Sequence, residues 1–292
     1  MAAQPIALTP FFMPPTTTTL QDARQSTIFR LAASSVPIQT QQILAIIYTL
    51  SWRLERILRR SSDELLLEKQ LAWWYEEVDQ ARRAQSSLPV FMELSSLAST
   101  CDASQIWSLL QQFIEHLHGC RQYMPIRDEK AWDDFAYQRR GIWLELCAQL
   151  SQFELPTTTK IHLAKSMTIY DMALGHALDV RQNLSYWPHS LIERHGLSSM
   201  YRPQNHAKWQ PLFDAYLQKA DREFLTTLHS TSFYHPMAES LLTLTALLKT
   251  KVYGTSLWYR MPGERISPTL PLKYLWTAWN TRRKYRSLTR GS

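Results

Sequence analysis

The strongest constraint on the fold is a repeat of apolar residues at three- and four-residue intervals, which recurs along the chain with few interruptions. From Ile38 to Arg60 it runs through Ile43, Ile46, Ile47, Leu50, Leu54, Ile57 and Leu58. That spacing lays one apolar stripe along a helix. Asp63, with Leu65 and Leu66 after it, is a plausible N-cap for the next helix, which is expected to reach Arg83. Further helices are predicted over residues 103–119, 131–152, 158–182, 207–230, 235–253 and 270–288. Breaks at 86–89, 124–128, 155–159, 183–188, 202–205 and 261–271 hold proline, polar clusters, or both. No stretch alternates with the period of a strand, and no internal repeat is visible. With only 7 glycines in 292 residues, the expectation is an all-α chain built as one large helical bundle.

The N-terminus reads differently. Pro5, Pro10, Pro14, Pro15 and the run Thr16 to Thr19 predict a flexible tail over residues 1–20, with the helical domain occupying 21–292. There is no basic segment followed by an apolar core, so no signal peptide is expected. The longest apolar run, residues 43–50, is too short to span a bilayer. Three cysteines (Cys101, Cys120 and Cys147) form no CxxC pair and make a disulfide scaffold implausible. These features predict a reducing, cytoplasmic setting. The net charge of +7 is compatible with nucleic acid, an anionic membrane surface, an acidic partner or plain solubility, and a solvated surface is the commonest of these.

Common catalytic signatures are missing. There is no glycine-rich phosphate loop, nucleophile elbow, HExxH or paired CxxC. His116 and Cys120 are four residues apart and share a helix face, but a metal site needs more ligands than this pair and His118 supply. Asp133-Asp134 reads as a charge pair at a helix N-terminus.

Several segments, in order, resemble the squalene/phytoene synthase family. Gln25-Ser26-Thr27-Ile28-Phe29 is similar to its opening Ser-x-x-Phe element. Pro37 and then Ala45-Ile46-Ile47-Tyr48-Thr49-Leu50 are similar to its proline and first helix. Leu71-Ala72-Trp73-Trp74-Tyr75-Glu76-Glu77-Val78, with Leu88-Pro89-Val90 after it, resembles the family's tryptophan-rich segment. Leu174-Gly175-x-Ala177 resembles its Leu-Gly-x-Ala helix. Tyr186-Trp187-Pro188, with Leu191 and Gly196, resembles its Tyr-x-Pro element, and Arg260 and Lys273 match a later Arg…Lys spacing loosely. The segments at Trp73-Trp74 and Tyr186–Pro188 are the most specific. The resemblance implies the isoprenoid synthase fold, a helical bundle around a central cavity. It also implies head-to-head condensation of two prenyl diphosphates, assisted by Mg²⁺ on two aspartate-rich motifs.

Those motifs are degraded here. The first falls on Ser51-Trp52-Arg53-Leu54-Glu55-Arg56-Ile57-Leu58-Arg59, where one carboxylate remains and Arg56 and Arg59 occupy ligand slots. An arginine has no acceptor for a metal, although it can bind phosphate directly. The plainer reading is that Glu55, Arg56 and Arg59 form a solvated helix face. The second motif falls between Gly175 and Tyr186, a shortened segment in which Asp179 precedes Arg181. Asp171 and Asp179 lie two turns apart and can share a face. Surface or ion-paired aspartates are the plainer reading here too.

The C-terminal segment 270–292 mixes Lys273, Tyr274, Trp276, Trp279, Arg282, Arg283, Lys284, Tyr285, Arg286 and Arg290. Tryptophans packed on the core with solvated cations are expected first. Docking on anionic lipid at the inner membrane face comes second, and nucleic acid is not expected.

The favoured expectation is a non-catalytic or chemically altered member of the family. It would bind an isoprenoid diphosphate or a lipid, or scaffold a protein partner. Arg53, Arg56, Arg59 and Arg181 are the candidates for a diphosphate, and no metal or other cofactor is expected. The alternative is an active head-to-head prenyl synthase, a farnesyl- or geranylgeranyl-diphosphate transferase, with a reduced Mg²⁺ site at Glu55, Asp171 and Asp179. A peripheral membrane adaptor is the third reading.

Overall fold

A computed structural model describes residues 23, 26–60, 63–122, 126–181, 184–197, 206–230, 234–255 and 270–290. The tail expected over residues 1–20 lies outside these, as does Arg260. Most of the described residues are helical, and none of them lies in a strand. In chain order the helices are α1 (Thr27–Ala33), α2 (Ile38–Arg60), α3 (Glu64–Arg82), α4 (Pro89–Ala98), α5 (Ala103–Gln122) and α6 (Glu129–Ala136). A π-helical turn (Tyr137–Gly141) leads into α7 (Ile142–Leu150). Then come α8 (Thr157–Arg181), α9 (His189–Arg194), α10 (His206–Ser230), α11 (Pro236–Thr255) and α12 (Leu270–Arg290).

Local chemistry sets many of the starts. Ser26, Asp63 and Asp128 each accept a hydrogen bond from a backbone N–H of the first turn, at Phe29, Leu66 and Ala131, which satisfies a donor the helix cannot. Pro89 opens α4, where its missing N–H costs nothing. The ends are less conventional. Gly196 closes α9 at φ +62, and the bond from Leu197 N–H to Ile192 C=O completes the cap. Helices α3 and α7 end in the same hydrogen-bond pattern, but with Ala84 at φ 58 and Gln152 at φ 50. In a chain so poor in glycine, residues with a Cβ hold the left-handed position at a local energetic cost.

The layers assemble around α2, α8 and α11. Helix α8 packs along α10, on the π turn and on α11; α2 packs on α4 and α7; α3 lies along α5; and α11 supports α1 and α12. The apolar stripe foreseen on α2 is buried from Ile43 to Leu58. Aromatic side chains join the outer layers, Trp74 meeting Phe91 and Phe91 meeting Trp107 edge-on. The predicted helix 131–152 is one helical run, α6 to α7, widened in its middle by the π turn. Helix α4 was not expected, because the Pro-bearing break before it masked its start. The Asp133-Asp134 reading is corrected. Asp128 is the cap, and Asp133 sits inside α6, paired with Lys165 and Lys219 at 2.7 and 3.4 Å.

Ala84 is exposed, so its strain can be relieved without disturbing packing. Ala84→Gly should raise the unfolding free energy by about 1 kcal/mol, measured by urea denaturation. An unchanged or lower value would contradict the strain assigned to this cap.

Candidate functional site

Three elements converge on one charged cluster. Glu55 comes from α2, Asp171 from α8, and Arg139 and Arg140 from the π turn. Arg139 Nη2 donates to Glu55 Oε2 at 3.1 Å and to Asp171 Oδ2 at 3.0 Å. Arg140 grips Glu55 with a two-pronged contact, Nη1 to Oε1 at 2.5 Å and Nη2 to Oε2 at 3.1 Å. Its Nη2 also lies 2.9 Å from Asp171 Oδ2. Ser51, one turn before Glu55, donates to Glu55 at 3.0 Å and accepts from Arg140 at 2.8 Å. Two carboxylates therefore face two guanidiniums, and each carboxylate is held by both arginines.

The local backbone makes this possible. Arg139 and Arg140 are consecutive, and in an α-helix consecutive side chains diverge by about 100°. The π turn is wider, and π turns often mark functional positions. Gly141 fits it closely, since a Cβ there would stand 2.6 Å from the Tyr137 ring.

Burial raises the stakes. Arg139 is 1 % exposed, Glu55 5 % and Asp179 2 %. Burial alone would push the Arg139 guanidinium down. Glu55, Tyr186, Asp171 and Asp179 outweigh it and hold the guanidinium charged, well above its ordinary value. Arg139 also lies 4.9 Å from the Tyr186 ring, which stacks on Phe135. Lys251 is pushed down by burial, partly opposed by Asp171.

A neutral pair adjoins the cluster. The His116 ring is pushed down to about 4, first by burial and then by Arg139, and burial pushes the Cys120 thiol up to about 12. Both are uncharged at neutral pH. The Cys120 thiol can thus donate to His116 Nε2 at 3.4 Å while Nδ1–H donates to Gln138 at 3.0 Å.

Beside the cluster lies a cavity of about 540 Å³, in the size range of small-molecule sites. Its walls come from α2, α7, α8 and α11 and are mainly apolar, with Leu44, Trp143, Met167 and Leu244 among them. Its polar edge is Ser51, Glu55, Arg56, Arg140 and Asp171. A groove of about 560 Å³ lies apart from it, beside the Glu145–Lys160 ion pair, and shares none of these residues.

The residues singled out from sequence divide accordingly. Glu55 and Asp171 meet in the cluster, and Asp179 is buried near it. The solvated face assigned to Glu55 and the surface alternative for Asp179 are therefore corrected, since both side chains are inside. Arg56 lines the cavity and stacks on Trp52 at 4.6 Å. Arg53 is half-buried on α2. The side chains of Arg59 and Arg181 lie outside the described part. Tyr48 lines the cavity and donates to Ser26 at 3.0 Å, and Tyr186 covers Arg139. Trp73, Trp74 and Glu77 serve α3 instead. Trp74 packs inward, and Glu77 accepts from Ser86 at 2.9 Å in the turn before α4. Gly175 is buried in α8, and Pro188 precedes α9. Arg139 and Arg140 were missed. Their signal was two adjacent arginines opening an otherwise apolar stretch, Ile142–Leu150.

The Mg²⁺ that the resemblance implies does not fit these residues as they stand. Both Glu55 oxygens and Asp171 Oδ2 already accept from guanidiniums, and a metal would have to displace two cations. Among the described residues no three His, Cys, Asp or Glu side chains converge as a metal-binding set.

Breaking the cluster should be costly, because removing one partner strands a buried charge. Glu55→Gln is expected to lower the unfolding free energy by about 3–5 kcal/mol, measured by urea denaturation. A loss under about 1 kcal/mol would mean the cluster is not a structural keystone. His116 gives a pH test. Its folded value, about 4, lies below the ordinary 6.5, so its contribution is complete above pH 6.5. That contribution falls away as pH drops towards 4, because only the unfolded chain takes up the proton there. His116→Gln should remove about one proton from the slope of stability against pH in that window.

Comparisons with known proteins follow the same lines. The squalene/phytoene synthase family model matches residues 23–241. A dehydrosqualene synthase solved in complex with a ligand superposes with a TM-score of 0.72 at 11 % identity, covering 91 % of this chain and 96 % of that one. At that identity the likeness shows the shared all-α isoprenoid synthase fold. No curated protein matches the chain by sequence. A family match over three quarters of the chain, carried on that fold, places this protein in the squalene/phytoene synthase family.

Proposed function

We propose that the protein is a chemically altered member of its family that binds an isoprenoid or lipid without Mg²⁺ and does not ionise a prenyl diphosphate. The observation that carries this reading is the double arginine bridge between Glu55 and Asp171. Family enzymes use carboxylates on facing helices to hold Mg²⁺ against a diphosphate leaving group. Here the facing carboxylates hold guanidiniums. The apolar walls of the cavity suit a hydrocarbon chain. Arg56 and Arg140 at its polar edge suit an anionic head, with Arg53 and Arg59 of α2 and Arg181 of α8 as further candidates. Such a protein would act by holding a lipid or by scaffolding a protein partner.

A second reading keeps the family's chemistry. Glu55 and Asp171 do converge, with Asp179 near them, and an arriving diphosphate could draw the arginines off the carboxylates and admit a metal. The two readings separate on diphosphate release from farnesyl or geranylgeranyl diphosphate, measured with and without Mg²⁺. The proposal expects no metal-dependent release, and saturable binding of the prenyl chain whether or not Mg²⁺ is present. Mg²⁺-dependent release with a C30 or C40 product, abolished by Glu55→Gln and Asp179→Asn, would establish the second reading instead.

A further inference from the structure

Helix α12 is fixed along one side and bare along the other. Its inner side is anchored by Tyr285, fully buried and accepting from His235 N–H at 3.1 Å, and by Thr277 against Thr250 at 2.9 Å. Arg286 grips the buried Glu239 of α11 at 2.7 and 2.8 Å, and Arg282 reaches Glu239 and the Leu31 carbonyl of α1. The helix is therefore held in one orientation.

Its outer side carries large apolar residues. Leu272 is 69 % exposed, Leu275 54 %, Trp276 64 % and Trp279 48 %. This corrects the expectation that Trp276 and Trp279 pack on the core. The indoles instead meet each other, 5.1 Å between ring centroids. Residues 272, 275/276, 279 and 283 follow helical spacing, so the stripe is continuous and ends in Arg283, which lies 5.3 Å over Trp279. Lys273 and Lys284 are exposed beside it, and the chain has no acidic residue from 270 to 292. Scattered exposed hydrophobes are ordinary, but a rigid, contiguous stripe of this kind marks a docking surface.

We infer that this face docks the protein on an anionic lipid bilayer, with Trp276 and Trp279 in the headgroup–acyl boundary and Lys273, Arg283 and Lys284 against lipid phosphates. The chemistry selects this occupant. Indole rings are favoured at the boundary because they have an apolar body and a polar N–H. A basic, acid-free helix face complements the negative surface of a membrane. Among the described residues no helix is long and apolar enough to cross a membrane, so the contact is one of lying on the surface. It is independent of what the cavity holds.

The test is co-sedimentation of the full chain with phosphatidylcholine vesicles, with and without about 30 % phosphatidylserine. The expected result is pelleting that requires the anionic lipid and weakens with salt. It should fall about tenfold in Trp276→Ser/Trp279→Ser and several-fold in Arg283→Glu/Lys284→Glu. Both variants change exposed side chains, and an unchanged circular dichroism melt confirms that each is folded. In Trp276→Phe/Trp279→Phe, pelleting should persist while quenching by brominated lipid drops. Absence of pelleting, equal pelleting on neutral vesicles, or pelleting unmoved by the two disruptive variants would overturn the inference. So would a soluble dimer that Trp276→Ser/Trp279→Ser dissolves, since the face would then be a subunit interface.

Discussion

The fold is organised around the contact between two arginines of a π turn and two carboxylates on facing helices. From the π turn Arg139 bridges α2 and α8, and its buried charge is met there by Glu55 and Asp171. Placing ions inside a protein is expensive, and a buried pair often contributes little net stability. What such a pair does fix is register. A shift of α2 or α8 by one residue would leave a charge in the core without its partner. The cluster thus sets the relative positions of the helices that also form the cavity walls.

That geometry has a direct bearing on chemistry. In this architecture, carboxylates on facing helices are the natural means of holding Mg²⁺ against a diphosphate. Pairing these carboxylates with two guanidiniums keeps the region electrically balanced. It also leaves planar, always-charged groups beside an apolar cavity, a combination that can accept a phosphate head and a hydrocarbon tail.

Much of the fold was legible in the sequence because helices report themselves by period. The span of α2 follows from its isoleucine and leucine spacing, and the start of α3 from the Asp63 cap. Family-like residues distant in sequence, such as Ser26, Tyr48 and Tyr186, proved to be near neighbours of the cavity or the cluster. The site was legible by half. Glu55 and Asp171 stood out as remnants of a carboxylate pattern, but their partners did not. Arg139 and Arg140 lie inside a predicted helix, where adjacent arginines look solvated, and only a π turn aims both inward. Trp276 and Trp279 failed in the opposite sense. Their spacing fits burial, yet Tyr274, Ala278 and Tyr285 occupy the inner face. One-dimensional periodicity locates a stripe; it does not say which of two stripes faces the core.

The most direct measurement is a high-resolution crystal structure of the protein grown in millimolar MgCl₂ with a non-hydrolysable farnesyl diphosphate analogue. The account predicts the guanidiniums of Arg139 and Arg140 still hydrogen-bonded to Glu55 and Asp171, the prenyl chain in the apolar cavity and no metal between the carboxylates. Octahedral Mg²⁺ held by Glu55 and Asp171, with both arginines displaced onto the diphosphate, would contradict it.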